Sequence, residues 1–440
     1  MASAESVFTL AEGIVLAIQE QGNCLYDVST GSALAVADDD LPGLEALCSG
    51  VAGDGVAQVG TALAEMGLAR PGPLQPDAAL ATRLQALDEA FAGPWLSDLP
   101  PAQHRAYAGA ATAHSMRKRF YPALGQLPVT PETALRRALC IGEAAAVGRK
   151  RVLCLGDDDL VSVPLALLGH EVVVLDVDAV LLRLLASDHM VAAGASVSGR
   201  HQDLRDPLDP SLLGAFDCAV TDPMPNRSCF ALFLSRALAC LRPEGTLHVA
   251  VPGAASSLFS AVATEMNVDV LDWHQGFNRY YGVRLLSSPY QSDWVRLQKN
   301  DQTRLLHEPQ AYAVFSDLYR SPLYPRDCVQ HTAVHGADER CMTTFFLSTL
   351  FDLVEGESGM ALTERRFCSG RWGAAAFARV KGGFFTLCAR RAERVVTFTL
   401  YPLNTSLWQT ARDLVLGIFK EGISWAAGRV AKALWELQLR

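Results

Sequence analysis

The stretch RVLCLGDDDLVSV, residues 151–163, decides the fold. An apolar run of five residues ends on Gly156, three carboxylates follow, and an apolar helical pattern resumes after them. Such a run, closed by glycine and continued with helical periodicity, reads as a buried parallel strand entering a βα turn. In open α/β sheets that turn lies at the carboxyl edge, where ligands sit. Asp157, Asp158 and Asp159 cannot crowd together cheaply, because neighbouring like charges raise one another's pKa. The triplet therefore calls for a cation: an amine, a sulfonium or a metal. The competing reading has one Asp capping the next helix and the other two solvated.

Working outward, HEVVVLDVD (170–178) gives a second strand ending in Asp176 and Asp178, and residues 179–190 give a helix. Ser196–Asp203 is a third strand, AFDCAVTDPMPN (215–226) a fourth that closes on Asp222-Pro223, and LRPEGTLHVAVP (241–252) a fifth. VDVLDWH and DWVRLQK supply extra strands to close the sheet. Strand and helix alternating at this rhythm predict a right-handed, Rossmann-like parallel α/β sheet over about 150–325. An acid at the end of the second strand is where such folds hydrogen-bond a ribose diol. The first turn is not GxGxxG, which argues against a dinucleotide and hydride transfer.

Ahead of this sheet, residues 1–72 read as a small helical unit. VFTLAEGIVLAIQEQG (7–22) and VGTALAEMGLA (59–69) carry helical spacing stopped by Gly, like half of a winged-helix module. That unit is poor in Lys and Arg and holds Asp38, Asp39 and Asp40, so dimerisation or scaffolding suits it better than DNA reading. The Pro-rich ARPGPLQPD (69–77) marks a boundary, and 73–149 reads as a helical linker region. In it Pro131 opens a helix that carries Arg136 and Arg137, placed to touch either a ligand carboxylate or one of the three Asp.

The chain has 440 residues, half of them hydrophobic, and a formal net charge of −9, which fits small cationic substrates better than nucleic acid. Its 11 Cys are scattered, the pattern of reduced buried thiols. With no long apolar span and no basic leader, a cytoplasmic protein that does not engage membranes is expected. From 326 to 440 the texture becomes α+β: MTTFFLSTLFDLV, WGAAAFARV, GGFFTLCARR and RVVTFTLYPL as strands, then helices at 407–419 and 423–437. His331 and His335 have metal-ligand spacing only on a helix, and a solvated loop fits HTAVHGADE better, so no metal is expected.

Taken together, TPETALRRAL, GDDDLVSVPLAL, VVVLDVD, HQDLRDPL, FDCAVTDP, LFLSRAL, GFNRYYG and SDLYR, in that order over about 115–320, resemble the branched-chain polyamine synthases, the bis(aminopropyl)spermidine synthase family. The resemblance implies a class I S-adenosylmethionine-type fold behind a winged-helix-like unit, and transfer of aminopropyl groups from decarboxylated S-adenosylmethionine to an amine. It implies that Gly156, Asp157, Asp158 and Asp159 form the active-site motif. Asp176 or Asp178 would hold the ribose, Asp203 with Leu204 the adenine, and Asp222 with Pro223 would flank the amine. Phe277, Asn278 and Tyr280 of GFNRYYG would lie along the acceptor. The family's usual Asp-Pro-Pro-aromatic is here Asp222-Pro223-Met224-Pro225-Asn226, so the acceptor loop has changed. The last hundred residues resemble half of an S-adenosylmethionine decarboxylase in strand order but lack a Ser-His pair for a pyruvoyl group, which favours a degenerate or recognition domain over an active decarboxylase.

The chemistry explains the acids. Aminopropyl transfer needs a neutral amine nucleophile, and alkylamines are protonated at pH 7. A carboxylate within hydrogen-bond reach accepts that proton, while others hold distal ammonium groups and align the chain. Asp158 or Asp159 is expected as base, with Asp222 second, and Trp273, Phe277, Tyr280 and Tyr281 as an apolar channel or as core. The rival is a methyl- or 3-amino-3-carboxypropyl-transferase using intact S-adenosylmethionine, whose donor carboxylate wants a cation such as Arg136 or Arg137. A homodimer without nucleic acid or membrane partners completes the expectation.

Overall fold

The computed structural model describes residues 7–310 apart from 20–21, 38–39, 51–53, 123–124, 144–147, 283 and 286, and beyond them only the five strands named below. Residues 1–310 form one compact unit and 311–440 a second. The chain begins with β1 (Phe8–Leu10), β2 (Ile14–Gln19), β3 (Gly22–Asp27), β4 (Ala33–Val36), α1 (Leu41–Ser49), α2 (Asp54–Glu65) and β5 (Ala69–Pro71). The helix expected over 7–22 is therefore wrong: this stretch is strand, and the first seventy residues are mixed rather than helical. Ile14 through Ile18 are all buried, so the run is covered on both faces and shows neither alternation nor a helical stripe. Gly13 (φ 72°) and Gly22 (φ 128°) bracket it as turn residues, and β2 pairs antiparallel with β3.

Next come α3 (Ala78–Ala92), α4 (Pro101–Met116), β6 (Arg119–Phe120) and α5 (Pro131–Glu143). β6 pairs parallel with β2, giving a sheet of order β4-β3-β2-β6. Asp77, in the Pro-rich stretch, is 1% exposed: it accepts from Gly13 N at 2.8 Å, from Leu80 N at 3.0 Å and from Lys118 Nζ. Lys118 in turn reaches Ala11 O at 2.9 Å. This buried ion pair fastens the amino-terminal strands to the segment leading into the main sheet.

That sheet is built from β7 (Arg151–Leu155), β8 (Glu171–Asp176), β9 (Val197–His201), β10 (Phe216–Thr221), β11 (Leu241–Pro252), β12 (Asp269–Tyr281) and β13 (Ser287–Gln298). Between them lie α6 (Ser162–Leu167), α7 (Ala179–Leu185), α8 (Asp188–Ala192), α9 (Arg227–Cys240) and α10 (Ser256–Met266). The helix expected at 179–190 is thus two short ones, because Ser187 caps a new start by accepting from Met190 N. Spatial order is β12-β13-β11-β10-β7-β8-β9, with β7 to β11 parallel and β13 reversed. This is the class I methyltransferase-type sheet. Val152, Leu153, Cys154 and Leu155 are wholly buried, and Thr221 Oγ1 donates to Leu155 O at 2.9 Å, stapling the ends of β10 and β7. Strand order reverses between those two strands, which places the ligand crevice at their carboxyl ends.

In the second unit, β14 (Gln330–His335), β15 (Thr363–Gly370), β16 (Gly373–Val380), β17 (Gly383–Arg390) and β18 (Val395–Tyr401) form an antiparallel sheet of order β14-β18-β17-β16-β15. His331 and His335 lie on a strand rather than in a loop. The expected strand at 342–354 and helices at 407–419 and 423–437 lie outside the described residues. Among the described residues no helix is long and apolar enough to cross a membrane.

Removing one member of a buried ion pair strands the other, at a cost of about 3–5 kcal/mol. Asp77→Ala is expected to lose that much in urea unfolding followed by circular dichroism; a loss below about 1 kcal/mol shows Lys118 finding other solvation.

Candidate active site

The glycine turn after β7 is tight. Gly156 sits at φ 69° and donates to Leu175 O at 2.9 Å, and Leu160 N closes back on Asp157 O at 2.8 Å. Leu160 itself takes φ 53°, a strained conformation that its fully buried side chain stabilises. The three acids leave this turn in different directions, and none points into bulk solvent.

Asp157, 1% exposed, accepts from Ser162 N at 3.3 Å and from Ser162 Oγ, so it ties down the start of α6. Its own N–H donates to Asp176 Oδ2 at 2.9 Å. Burial pushes the Asp157 carboxyl well above its usual range, with Asp159 and Asp176 adding to the rise.

Asp159 is also buried, and both oxygens are taken: Oδ1 by Val129 N at 2.9 Å, Oδ2 by Arg137 Nη1. Arg137, 1% exposed, spends its whole fork within the protein. Besides Asp159 it donates to Asn278 Oδ1 at 2.8 Å, Asp222 Oδ2 at 2.8 Å and Tyr280 OH at 3.3 Å, and its guanidinium stands 4.7 Å from the Trp294 ring centroid. Burial works against this charge, but Asp159 and Asp222 outweigh it and hold the guanidinium firmly protonated. Tyr280 OH donates to Asp222 Oδ2 at 2.7 Å and lies 2.7 Å from Ser292 Oγ, which Asn278 Nδ2 also reaches at 2.8 Å. Asp159, Asp222, Asn278 and Tyr280, named from the sequence, are thus one network around Arg137.

Asp158 differs from its neighbours in being only half-buried. Oδ2 accepts from Leu127 N at 3.1 Å, and Oδ1 has no partner among the described residues. Burial raises its pKa to about 7, Arg117 pulling down and Asp222, Asp176 and Asp157 pushing up.

At the end of β8, Asp176 accepts one N–H per oxygen, Asp157 N on Oδ2 and Asp178 N at 2.7 Å on Oδ1. Burial and the Asp178 charge raise its pKa to about 6. Asp178 is the N-cap of α7, accepting from Val180 N and Leu181 N, and its other oxygen takes Gln126 Nε2 at 2.7 Å and Arg119. Burial opposes its ionisation, yet Arg119 and Gln126 prevail and keep it below the usual range. Asp203 stands apart from the triplet, held by Arg205 through contacts of 2.9 and 2.6 Å. Leu204 is buried, its carbonyl accepting from Arg236 Nε at 2.8 Å. Pro223 is buried, and the next residue, Met224, packs on Gly125, where a Cβ would meet its sulfur at 2.5 Å.

Of the four channel candidates, Phe277, Tyr280 and Tyr281 are buried. Phe277 is stacked on Trp294, centroids 6.0 Å apart, and Tyr281 is fully buried with its hydroxyl 2.8 Å from His114 Nδ1. Arg117, Arg119 and Gln126 were missed from the sequence. Arg117 donates to the Asp158 carbonyl and to Gln126 Oε1 at 2.9 Å, so this segment joins the first turn to Asp178. The available signal was the run Arg117-Lys118-Arg119, three adjacent cations upstream of three adjacent acids.

Residues 115–309 match the family described as the branched-chain polyamine synthase A C-terminal domain. The match spans 195 of the 440 residues. A Thermus thermophilus N(4)-bis(aminopropyl)spermidine synthase is 30% identical over 182 residues, 40% of this chain and 53% of that one. An uncharacterised Methanocaldococcus jannaschii protein is 31% identical over 164 residues, 36% of this chain and 42% of that one. The chain thus spans about half the length of the curated relatives it matches. Among solved structures, a mutein of the Thermus thermophilus branched-chain polyamine synthase, in complex with N4-aminopropylspermidine and 5'-methylthioadenosine, aligns with TM-score 0.45 and 24% identity, covering 64% of this chain and 85% of that one.

The folded pKa of Asp158, about 7, exceeds the unfolded carboxylate value of roughly 3.9. The folded state therefore binds more protons between those values, and stability falls as pH rises through that window. The thermal midpoint of the free protein is expected to drop from pH 5 to pH 8, with a shallower drop in Asp158→Asn. Equal slopes in the two proteins would show Asp158 ionising as an ordinary surface acid.

Proposed function

We propose that this chain is an aminopropyltransferase, moving the aminopropyl group of decarboxylated S-adenosylmethionine onto an amine nitrogen of a polyamine-type acceptor. The observation that carries this reading is the acid excess at the carboxyl ends of β7, β8 and β10. Asp157, Asp158, Asp159, Asp176, Asp178 and Asp222 gather there, and the guanidiniums of Arg117, Arg119 and Arg137 are already bonded to protein oxygens. A polycation supplies what the site lacks. The family match over residues 115–309 supports the same chemistry.

The free oxygens distribute the roles. Asp158 Oδ1 and Asp222 Oδ1 have no partner among the described residues, so these carboxylates grip the acceptor ammonium, and Asp158, with its pKa about 7, takes the proton. Asp159, both oxygens engaged, braces the turn instead of acting as base. The freed amine lone pair attacks the methylene beside the sulfonium; the new C–N bond forms as the C–S bond breaks, and sulfur keeps the electron pair as a neutral thioether. Between the two ribose candidates, Asp176 keeps a lone pair on each oxygen, whereas Asp178 is consumed by its cap and by Arg119 and Gln126. Asp203, at the end of β9, remains the candidate for the adenine amino group.

The same census favours the decarboxylated donor. A carboxylate on the donor needs an available cation; Arg137 already gives four hydrogen bonds, to Asp159, Asp222, Asn278 and Tyr280, and Arg136 is turned to Glu132 and the Phe277 carbonyl.

Incubation with either donor and a panel of amines, followed by mass spectrometry, tests this. An aminopropyl increment with the decarboxylated donor is expected, and a methyl or aminocarboxypropyl increment with intact S-adenosylmethionine alone would replace this reading. Asp158→Asn is expected to lower kcat by roughly a hundredfold or more with the fold intact; full turnover in that variant would move the base elsewhere.

A further inference from the structure

A second concavity lies where β12 bends. Register slips between His274 and Asn278, and Gly276 takes φ 57°, so the strand bulges and re-aims its side chains. The result is an open cleft of about 710 Å³, within the range of small-molecule sites, walled by Arg136, Arg279, Trp273, His274, Gln275 and Phe277.

Its charge is opposite to that of the transferase site. Arg279 donates to Gly276 O at 2.8 Å and has no carboxylate within ion-pair distance among the described residues. Arg136 donates to Phe277 O at 3.3 Å and meets Glu132 only at 3.5 Å. Glu132 is buried, which raises its pKa against the pull of both Arg136 and Arg279. The nearby Asp293 carboxylate is occupied by the bulge itself, accepting from Trp273 Nε1 at 2.7 Å and Gly276 N at 2.8 Å. Each guanidinium therefore keeps N–H donors beyond those given to backbone carbonyls. Arg136 is also pre-oriented: it lies 4.2 Å over Phe277, whose ring stacks on Trp294, which in turn carries Arg137 at 4.7 Å. Fixing the fork in advance reduces the entropy lost on binding.

We propose that this cleft binds a polyphosphate anion, free or carried by a nucleotide. Guanidinium forks match phosphate oxygens bidentately, and two of them on one wall suit adjacent phosphoryl groups better than a single small carboxylate. The half-exposed Trp273 and exposed His274 offer faces to a nucleotide base. A polyamine is repelled by this lining, so the cleft is separate from the acceptor site.

The test is calorimetric titration of the full chain with sodium triphosphate and, separately, with ATP at physiological ionic strength. Both are expected to bind, and Arg279→Gln to weaken both by about tenfold or more. The variant should keep the wild-type thermal midpoint and aminopropyl transfer. ATP binding tighter than triphosphate identifies a nucleotide as the occupant, and equal binding identifies free polyphosphate. The proposal is overturned if triphosphate fails to bind at millimolar concentration, if only ATP binds, or if Arg279→Gln binds as tightly as wild type. Arg279→Lys, which keeps the charge but not the fork, should fall between the two.

Discussion

A guanidinium buried to 1% exposure, shared by two carboxylates from different strands, is what the site depends on. Taking three charges out of water is costly, and only good geometry with further hydrogen bonds repays it. Arg137 meets that condition through Asn278 and Tyr280, which belong to β12, while it sits on α5 and its carboxylates end β7 and β10. Four elements are thereby fixed relative to one another by one side chain. Substrate-gripping acids need this kind of anchoring, because a small displacement of an aligned group costs orders of magnitude in rate.

The amino-terminal residues complete the arrangement. Arg119 joins Glu45 of α1 to Asp178 after β8, and Arg117 joins the Asp158 carbonyl to Gln126. The peptide N–H groups of Leu127 and Val129 then cap Asp158 and Asp159. A chain segment arriving from the small β4-β3-β2-β6 sheet is therefore one wall of the candidate site, which explains why Lys118 and Asp77 are buried together just behind it.

The central sheet was legible because its strands are short apolar runs ending in acids, and each run points to its own turn. GDDD announced a charged turn, although the division of labour within it was hidden. Which of three adjacent acids faces inward depends on Ser162, Val129 and Arg137, contacts made across long stretches of chain. The run Ile14–Ile18 misled for a related reason: buried on both faces, it lacks the alternation that separates strand from helix, and its Ala, Glu and Gln neighbours favour helix locally. Arg137 was flagged with two possible partners, and the structure gives it Asp159 and Asp222. Arg117 and Arg119 escaped because consecutive cations usually mark a solvated face.

The acids are held in unequal states, and that inequality is the chemistry. Burial pushes Asp157, the acid tied to Ser162, well above the usual carboxylate range, while Arg119 holds Asp178 below it. Asp158 and Asp176 lie between, near 7 and 6, where a small electrostatic change moves the proton. An arriving ammonium is such a change: it favours the carboxylate form and so strengthens the grip that the site has on it. Beyond burial, the crowding of like charges at the turn raises the pKa of Asp158 and Asp176 in the unliganded site, and an entering cation offsets that crowding.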